Sequence, residues 1–173
     1  MSLSIFVDNK RLTEFLKQIM DGHVHYAQHP RVELSTRPEA VHVIDCSGFV
    51  RYVLFRVCDI ALAQDGSWHL NEWCKSYLQS EAEYKCASQM DGIIRVGYFA
   101  HPKGKPKHDG HIWLILNGWT MESHGGHGRH GGPHRRRWNT KVLTHNVEHS
   151  YVLGPTGNVY PDGVIPPSGY AYA

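Results

Sequence analysis

Apolar residues recur at helical spacing in the first half of the chain and at strand spacing in the second. Over residues 8–20, Leu12, Phe15, Leu16, Ile19 and Met20 return at intervals of three and four, and Asp21-Gly22 supplies a stop, so the spacing predicts an amphipathic helix. Residues 22–40 carry Pro30, Pro38 and no period, which reads as an irregular loop able to border a site. A second helix is predicted over about residues 46–63, with Asp45 as its N-cap and Phe49, Val50, Val53, Leu54 and Val57 on the inner face. A third is predicted over residues 70–83, with Trp73, Tyr77 and Leu78 buried after a break at Gly66-Ser67. The period then changes. Residues 92–100, 111–116, 119–123, 141–145 and 149–153 are short β-rich runs separated by Gly, Pro and Asn. Helices first and strands later predict an α+β fold with a mainly antiparallel sheet. Pro155, Pro161, Pro166 and Pro167 mark an extended tail from about residue 154.

At 173 residues the chain suits a single domain spanning 1–173. Its longest apolar stretch, residues 112–116, is far too short to span a bilayer. The first ten residues contain neither a basic leader nor a secretory apolar segment, so no signal peptide is expected. A formal charge of +2, from 18 basic against 16 acidic residues, argues against a dedicated nucleic-acid binder. Cys46, Cys58, Cys74 and Cys86 lack the paired short spacing of zinc ribbons or redox motifs; Cys58 and Cys86 read as structural.

The chemistry concentrates in Asp45-Cys46-Ser47-Gly48-Phe49-Val50. A cysteine that begins a helix sits where backbone N–H groups and the helix dipole favour thiolate over thiol, the form that acts as a nucleophile. Small Ser47 and Gly48 leave room for a substrate carbonyl, and the Cys46 N–H is a candidate oxyanion donor. A base is available downstream. Leu116-Asn117-Gly118-Trp119 is a two-residue hairpin signal, and pairing Leu116 with Trp119 makes His111 face His124 and Trp113 face Glu122. Period two then puts His111, Trp113, Glu122 and His124 on one side of the hairpin. Either Glu122 or His124 is positioned to orient the imidazole as the third member of a triad does.

Asp45-Cys-Ser-Gly-Phe-Val50 at a helix start, followed by Gly110-His111-Ile-Trp-Leu-Ile115 opening a strand, resembles the NlpC-type cysteine peptidases, a papain-like family that cleaves bacterial cell-wall peptides. Met121-Glu-Ser-His-Gly-Gly126 looks like the hairpin return of phage and actinobacterial hydrolases of this type. The resemblance covers roughly residues 10–155. It implies Cys46 as nucleophile, His111 as base and Glu122 as orienter, with His124 in reserve and Tyr26 lining the substrate groove; Ser47 beside the nucleophile and Trp113 on the face of His111 are further candidates to border the substrate. It implies a papain-like NlpC-type fold, peptidoglycan stem peptides as substrate, and no metal or other cofactor. Type VI secretion amidases and CHAP amidases share the arrangement, so the bond cleaved stays open between peptide and amide. Synthesis in the cytoplasm is then expected, with action at the wall after phage lysis, virion delivery or non-classical secretion, and with a phage tail or secretion system as associated assembly.

Histidine is over-used, with 14 copies, clustered at His23, His25 and His29 and again at His124, His127, His130 and His134. The second cluster, interleaved with Gly and with Arg129, Arg135, Arg136 and Arg137, reads as a solvated basic loop suited to anionic wall polymer. Two further classes stay open: a catalytically silent wall-binding or virion module of the same fold, and a His-rich metal-binding protein.

Overall fold

The structure, a computed structural model, describes residues 2–28, 30–104, 110–125 and 131–157, and the backbone of 170–172. Strand β1 (Val7–Asp8) leads into helix α1 (Asn9–Ile19), whose N-cap Asp8 accepts from the N–H groups of Lys10 and Arg11. Leu12, Phe15 and Ile19 form its buried stripe, as their spacing predicts. Helix α2 (Cys46–Cys58) is capped by Asp45, which accepts from Gly48 N–H at 2.7 Å, and is buried on nearly every side. It ends earlier than the apolar pattern suggests. Asp59 turns left-handed, with φ 58°, and its N–H closes the last turn on Leu54 and Phe55, while Arg11 grips its carboxylate with two nitrogens at 2.7 and 2.8 Å. Ile60–Leu62 is therefore a strand, β2, and not the helix's last turn.

Helix α3 (Ser67–Tyr77) starts three residues before the predicted boundary and stops at Leu78, because Gln79–Glu81 leaves it to pair as strand β3. The remaining strands are β4 (Ile93–Phe99), β5 (His111–Leu116), β6 (Trp119–His124), β7 (Gly132–His134), β8 (His149–Gly157) and β9 (Tyr170–Tyr172). Residues 141–145, expected as a strand, belong to helix α4 (Lys141–Asn146). Its buried positions, Leu143 and Asn146, lie three apart on a helical face, and the Asn146 amide donates to Val142 O at 2.7 Å. The chain past residue 154 does not leave the fold at once: β8 runs on to Gly157 beside β1. Of the expected tail, residues 158–169 lie outside the described residues.

Among the described residues the main sheet runs β1-β8-β4-β5-β6-β7, with β3 also on β8; every neighbour is antiparallel except β1 with β8. The chain is thus α+β with a mainly antiparallel sheet. Leu114 pairs with Met121, Ile115 with Thr120 and Leu116 with Trp119, the register that the Asn117-Gly118 turn dictates; both turn residues have positive φ. Strand β5 is buried on both faces. Ile112 and Leu114 join the large core under α1, α2 and α3, whereas Trp113 and Ile115 join a second, smaller core with Ala87, Phe99 and Leu143. That two-sided burial explains an apolar run in place of alternation. No helix of the described residues is long and apolar enough to cross a membrane.

Candidate active site

A buried bond helps hold the start of α2 against the sheet. Ser123 Oγ on β6 donates to Ile44 O at 2.9 Å, two residues before Cys46, and Ile44 N–H donates to His25 O at 2.9 Å on the other side. Glycine at 48 leaves the cap room, since a Cβ would lie 2.8 Å from the capping Asp45 oxygen and 3.2 Å from Ile44 Cγ1 and would push the carboxylate aside. Cys46 itself is 7% exposed, and its Sγ lies 3.8 Å from the carbonyl oxygen of Gly110, the residue before β5. A Cβ on Gly110 would meet Phe99 O at 2.6 Å, so glycine lets the chain before β5 pass close to the end of β4.

The imidazole of His111 lies within electrostatic reach of the Cys46 side chain, and its Nε2 lies 2.8 Å from Glu122 Oε1. With Nε2 committed to the carboxylate, Nδ1 is the nitrogen left for sulfur. Burial alone would lower the imidazole; the hydrogen bonds and charges of Cys46 and Glu122 outweigh it and raise it to about 9. Glu122 is 0% exposed. Burial would raise it as well, yet its bonds to His111 and Arg136 hold it far below the usual carboxylate range. The three side chains form one polar series across an otherwise apolar junction.

Arg136 was missed by the sequence reading, which placed it in a solvated basic loop. Its Nη2 donates to Glu122 Oε1 at 2.7 Å and its Nε to Oε2 at 3.0 Å. The chain after β7 continues alongside β6, with Thr120 N–H donating to Arg136 O and Trp119 bridged to Arg137. Alternation along this extended segment turns Arg136 to the face of Glu122, while exposed Arg135 and Arg137 stack over Trp119, 5.8 and 5.1 Å from its ring centre. Arg129, His127 and His130 lie outside the described residues, as does His29.

His124 sits across from His111, with ring centres 6.3 Å apart, but bonds elsewhere: its Nδ1 lies 3.0 Å from Gly125 O. Its Nε2 is buried with no hydrogen-bond partner among the described residues, and its ring meets that of His134 at 3.9 Å. Burial, Arg136 and His134 push it down to about 4, so it is neutral at pH 7. Trp113 does not line an opening. It is 0% exposed, donates from Nε1 to Tyr84 Oη at 3.1 Å and lies stacked against the imidazole of His111, 5.3 Å between ring centres. The Ser47 hydroxyl is likewise turned inward, 3.3 Å from the capping oxygen of Asp45. Tyr26 is half-buried beside Gly125, at the end of β6, its N–H donating to Gly131 O. A cavity of about 400 Å³ opens beside Asp45 and is lined by Arg31, Gln64, Asp65 and His69 among others. Cys58 is buried and its thiol is pushed up to about 12 by desolvation. Among the described residues no group of three or more His, Cys, Asp or Glu side chains gathers as a metal site.

No protein-family model and no curated protein matches the chain. Among solved structures it is similar to a protein of Staphylococcus aureus subsp. aureus Mu50 described as similar to a lipoprotein of the NLP/P60 family, at 12% identity and a TM-score of 0.48. The match covers 89% of this chain and 43% of that one, so the chain spans less than half of that protein's length.

Proposed function

We propose that this chain is a cysteine hydrolase that cleaves peptide or amide bonds of bacterial peptidoglycan. What supports the reading is the series Cys46, His111 and Glu122, in which one imidazole lies 2.8 Å from a fully buried carboxylate and within electrostatic reach of a cysteine at a helix start. In this reading the Cys46 thiolate attacks the carbonyl carbon and the C=O electron pair moves to oxygen. First-turn N–H groups of α2, with the Cys46 N–H foremost, stabilise that oxyanion. Protonated His111 gives its proton to the departing amine as the C–N bond breaks. The imidazole then removes a proton from water, which releases the acyl group and restores the thiolate. Glu122 keeps the ring oriented, the role of a third triad member. His124, bonded to its own neighbour and neutral, is the weaker candidate for that role.

The substrate class rests on the likeness of the Asp45–Val50 and Gly110–Ile115 motifs to the NlpC-type peptidases. The polar cavity beside Asp45 gives a charged stem peptide room one residue from the sulfur. Incubation of purified peptidoglycan with the protein, followed by mass analysis of released fragments, tests the proposal. Native protein is expected to release peptide-cut or amide-cut fragments, Cys46→Ala none, and His111→Ala at a rate reduced about 100-fold to 10,000-fold, the usual range for loss of a general acid–base. Equal release by native protein and Cys46→Ala, or none by either, contradicts it.

A further inference from the structure

We propose that Arg136 is the positioning and charge-balancing residue of this site: by holding Glu122 through two hydrogen bonds it lets Cys46 stand as a thiolate beside a buried carboxylate. The inference rests on the hydrolase reading and names a residue that the three-membered series does not include. Glu122 Oε1 is shared between His111 Nε2 at 2.8 Å and Arg136 Nη2 at 2.7 Å, and Oε2 belongs to Arg136 Nε at 3.0 Å. Both carboxylate oxygens are thereby fixed, which leaves the carboxylate no freedom to rotate away from the imidazole.

Charge is the stronger consideration. A thiolate, an imidazolium and a carboxylate together carry one net negative charge, in a place where Glu122 is 0% and the His111 side chain 12% exposed. An uncompensated buried charge is expensive, and the group most easily neutralised gives way. Of the other titratable groups near His111, His124 on the facing strand and the Tyr84 hydroxyl beneath Trp113 are both neutral at pH 7, and His134 stands behind His124. Among the described residues, Arg136 is the cation that closes the balance. Without it, the simplest neutralisation is uptake of one proton from water by the sulfur, which leaves an inert thiol beside an imidazolium–carboxylate pair. Removing the Glu122 charge at the same time restores the balance and, with it, the thiolate.

The test is a pH titration of thiolate absorbance near 240 nm. Native protein, Arg136→Gln, Arg136→Lys and the double variant Glu122→Gln/Arg136→Gln are each measured against the same chain carrying Cys46→Ala, so that the other three cysteines cancel. Arg136→Gln is expected to lose about tenfold in Cys46 thiolate at pH 7, the size of a one-unit displacement. Arg136→Lys keeps most of the signal, and the double variant regains what the single variant lost. A merely packing role predicts the opposite order, with the double variant no better than the single. Should Arg136→Gln not fold, the double variant alone decides: absence of thiolate in it overturns the proposal. Arg136→Gln titrating as native also overturns it while leaving the hydrolase reading intact. A native protein with no Cys46 thiolate at pH 7 overturns that reading too.

Discussion

Glu122 and His124 lie two positions apart on β6 and face one side of the sheet, yet their surroundings drive them in different ways. Glu122 has a cation on each flank and stays ionised despite full burial. His124 is buried with the Arg136 charge nearby and has no partner for its Nε2 among the described residues, so it stays neutral down to about pH 4. Between pH 6.5 and 4 the unfolded chain therefore binds a proton at His124 that the folded chain refuses. Stability must fall as pH drops through that window, by at most about 1.4 kcal/mol per pH unit from this residue. His111, raised to about 9, is protonated in both states below pH 6.5 and adds no slope there. His124→Phe, which keeps a ring and removes both nitrogens, is expected to flatten the acid limb in urea denaturation between pH 6.5 and 4.5; an unchanged slope would refute the assignment. At this scale the sequence was legible where the signal is local. Asp45 before Cys46 announces a capped helix start, and Asn117-Gly118 announces a tight turn whose register brings Glu122 to the side of His111. Arg136 was not legible, because its side depends on how residues 131–137 return along β6, and no two-residue turn signature spans that return.

At the scale of elements, α1, α2 and the β5–β6 hairpin follow from period and turn chemistry, whereas the errors fall on short runs. Lys141-Val-Leu-Thr-His-Asn146 has β-rich composition, and only tertiary burial of Leu143 together with the Asn146 side-chain bonds selects helix over strand. Ile60-Ala61-Leu62 prolongs the apolar pattern of α2, and the break at Asp59 is a left-handed residue held by Arg11 from another helix, a contact 48 residues away in sequence. Strand β3 has no apolar alternation at all; Gln79–Glu81 forms because the edge of β8 offers it partners. The pairing of β4 with β5 carries a functional consequence. Gly97 faces Trp113, and a Cβ there would overlap the indole against which His111 stacks. Gly97→Ala is expected to destabilise the fold by about 1–3 kcal/mol in chemical denaturation, the usual cost of overpacking a filled core. Trp113→Phe in the same chain should recover much of that loss. A neutral Gly97→Ala would mean that the indole is not packed where the structure has it.

The whole molecule brings together two groups from opposite halves of the chain. Cys46 arrives at the tip of a helix buried among apolar residues, and His111 opens the strand that separates the two cores. Their alignment is fixed by contacts remote in sequence: Ser123 to Ile44, Cys46 to Gly110, and the Arg136–Glu122 clamp. None of these is encoded by a local pattern, so the convergence could be expected from the two motifs, but the clamp had to be seen in the folded chain. On the proposed hydrolase reading, position and not exposure selects Cys46 as the reactive thiol. Cys46 is 7% exposed, whereas Cys86 is the more accessible of the four. Limited iodoacetamide at pH 6.5, read by peptide mapping, separates the two ideas most directly. Cys46 is expected to be labelled first, and His111→Ala to slow its labelling about 100-fold, because the thiolate and not the thiol reacts. Labelling of Cys86 ahead of Cys46, or a Cys46 rate indifferent to His111, would contradict it.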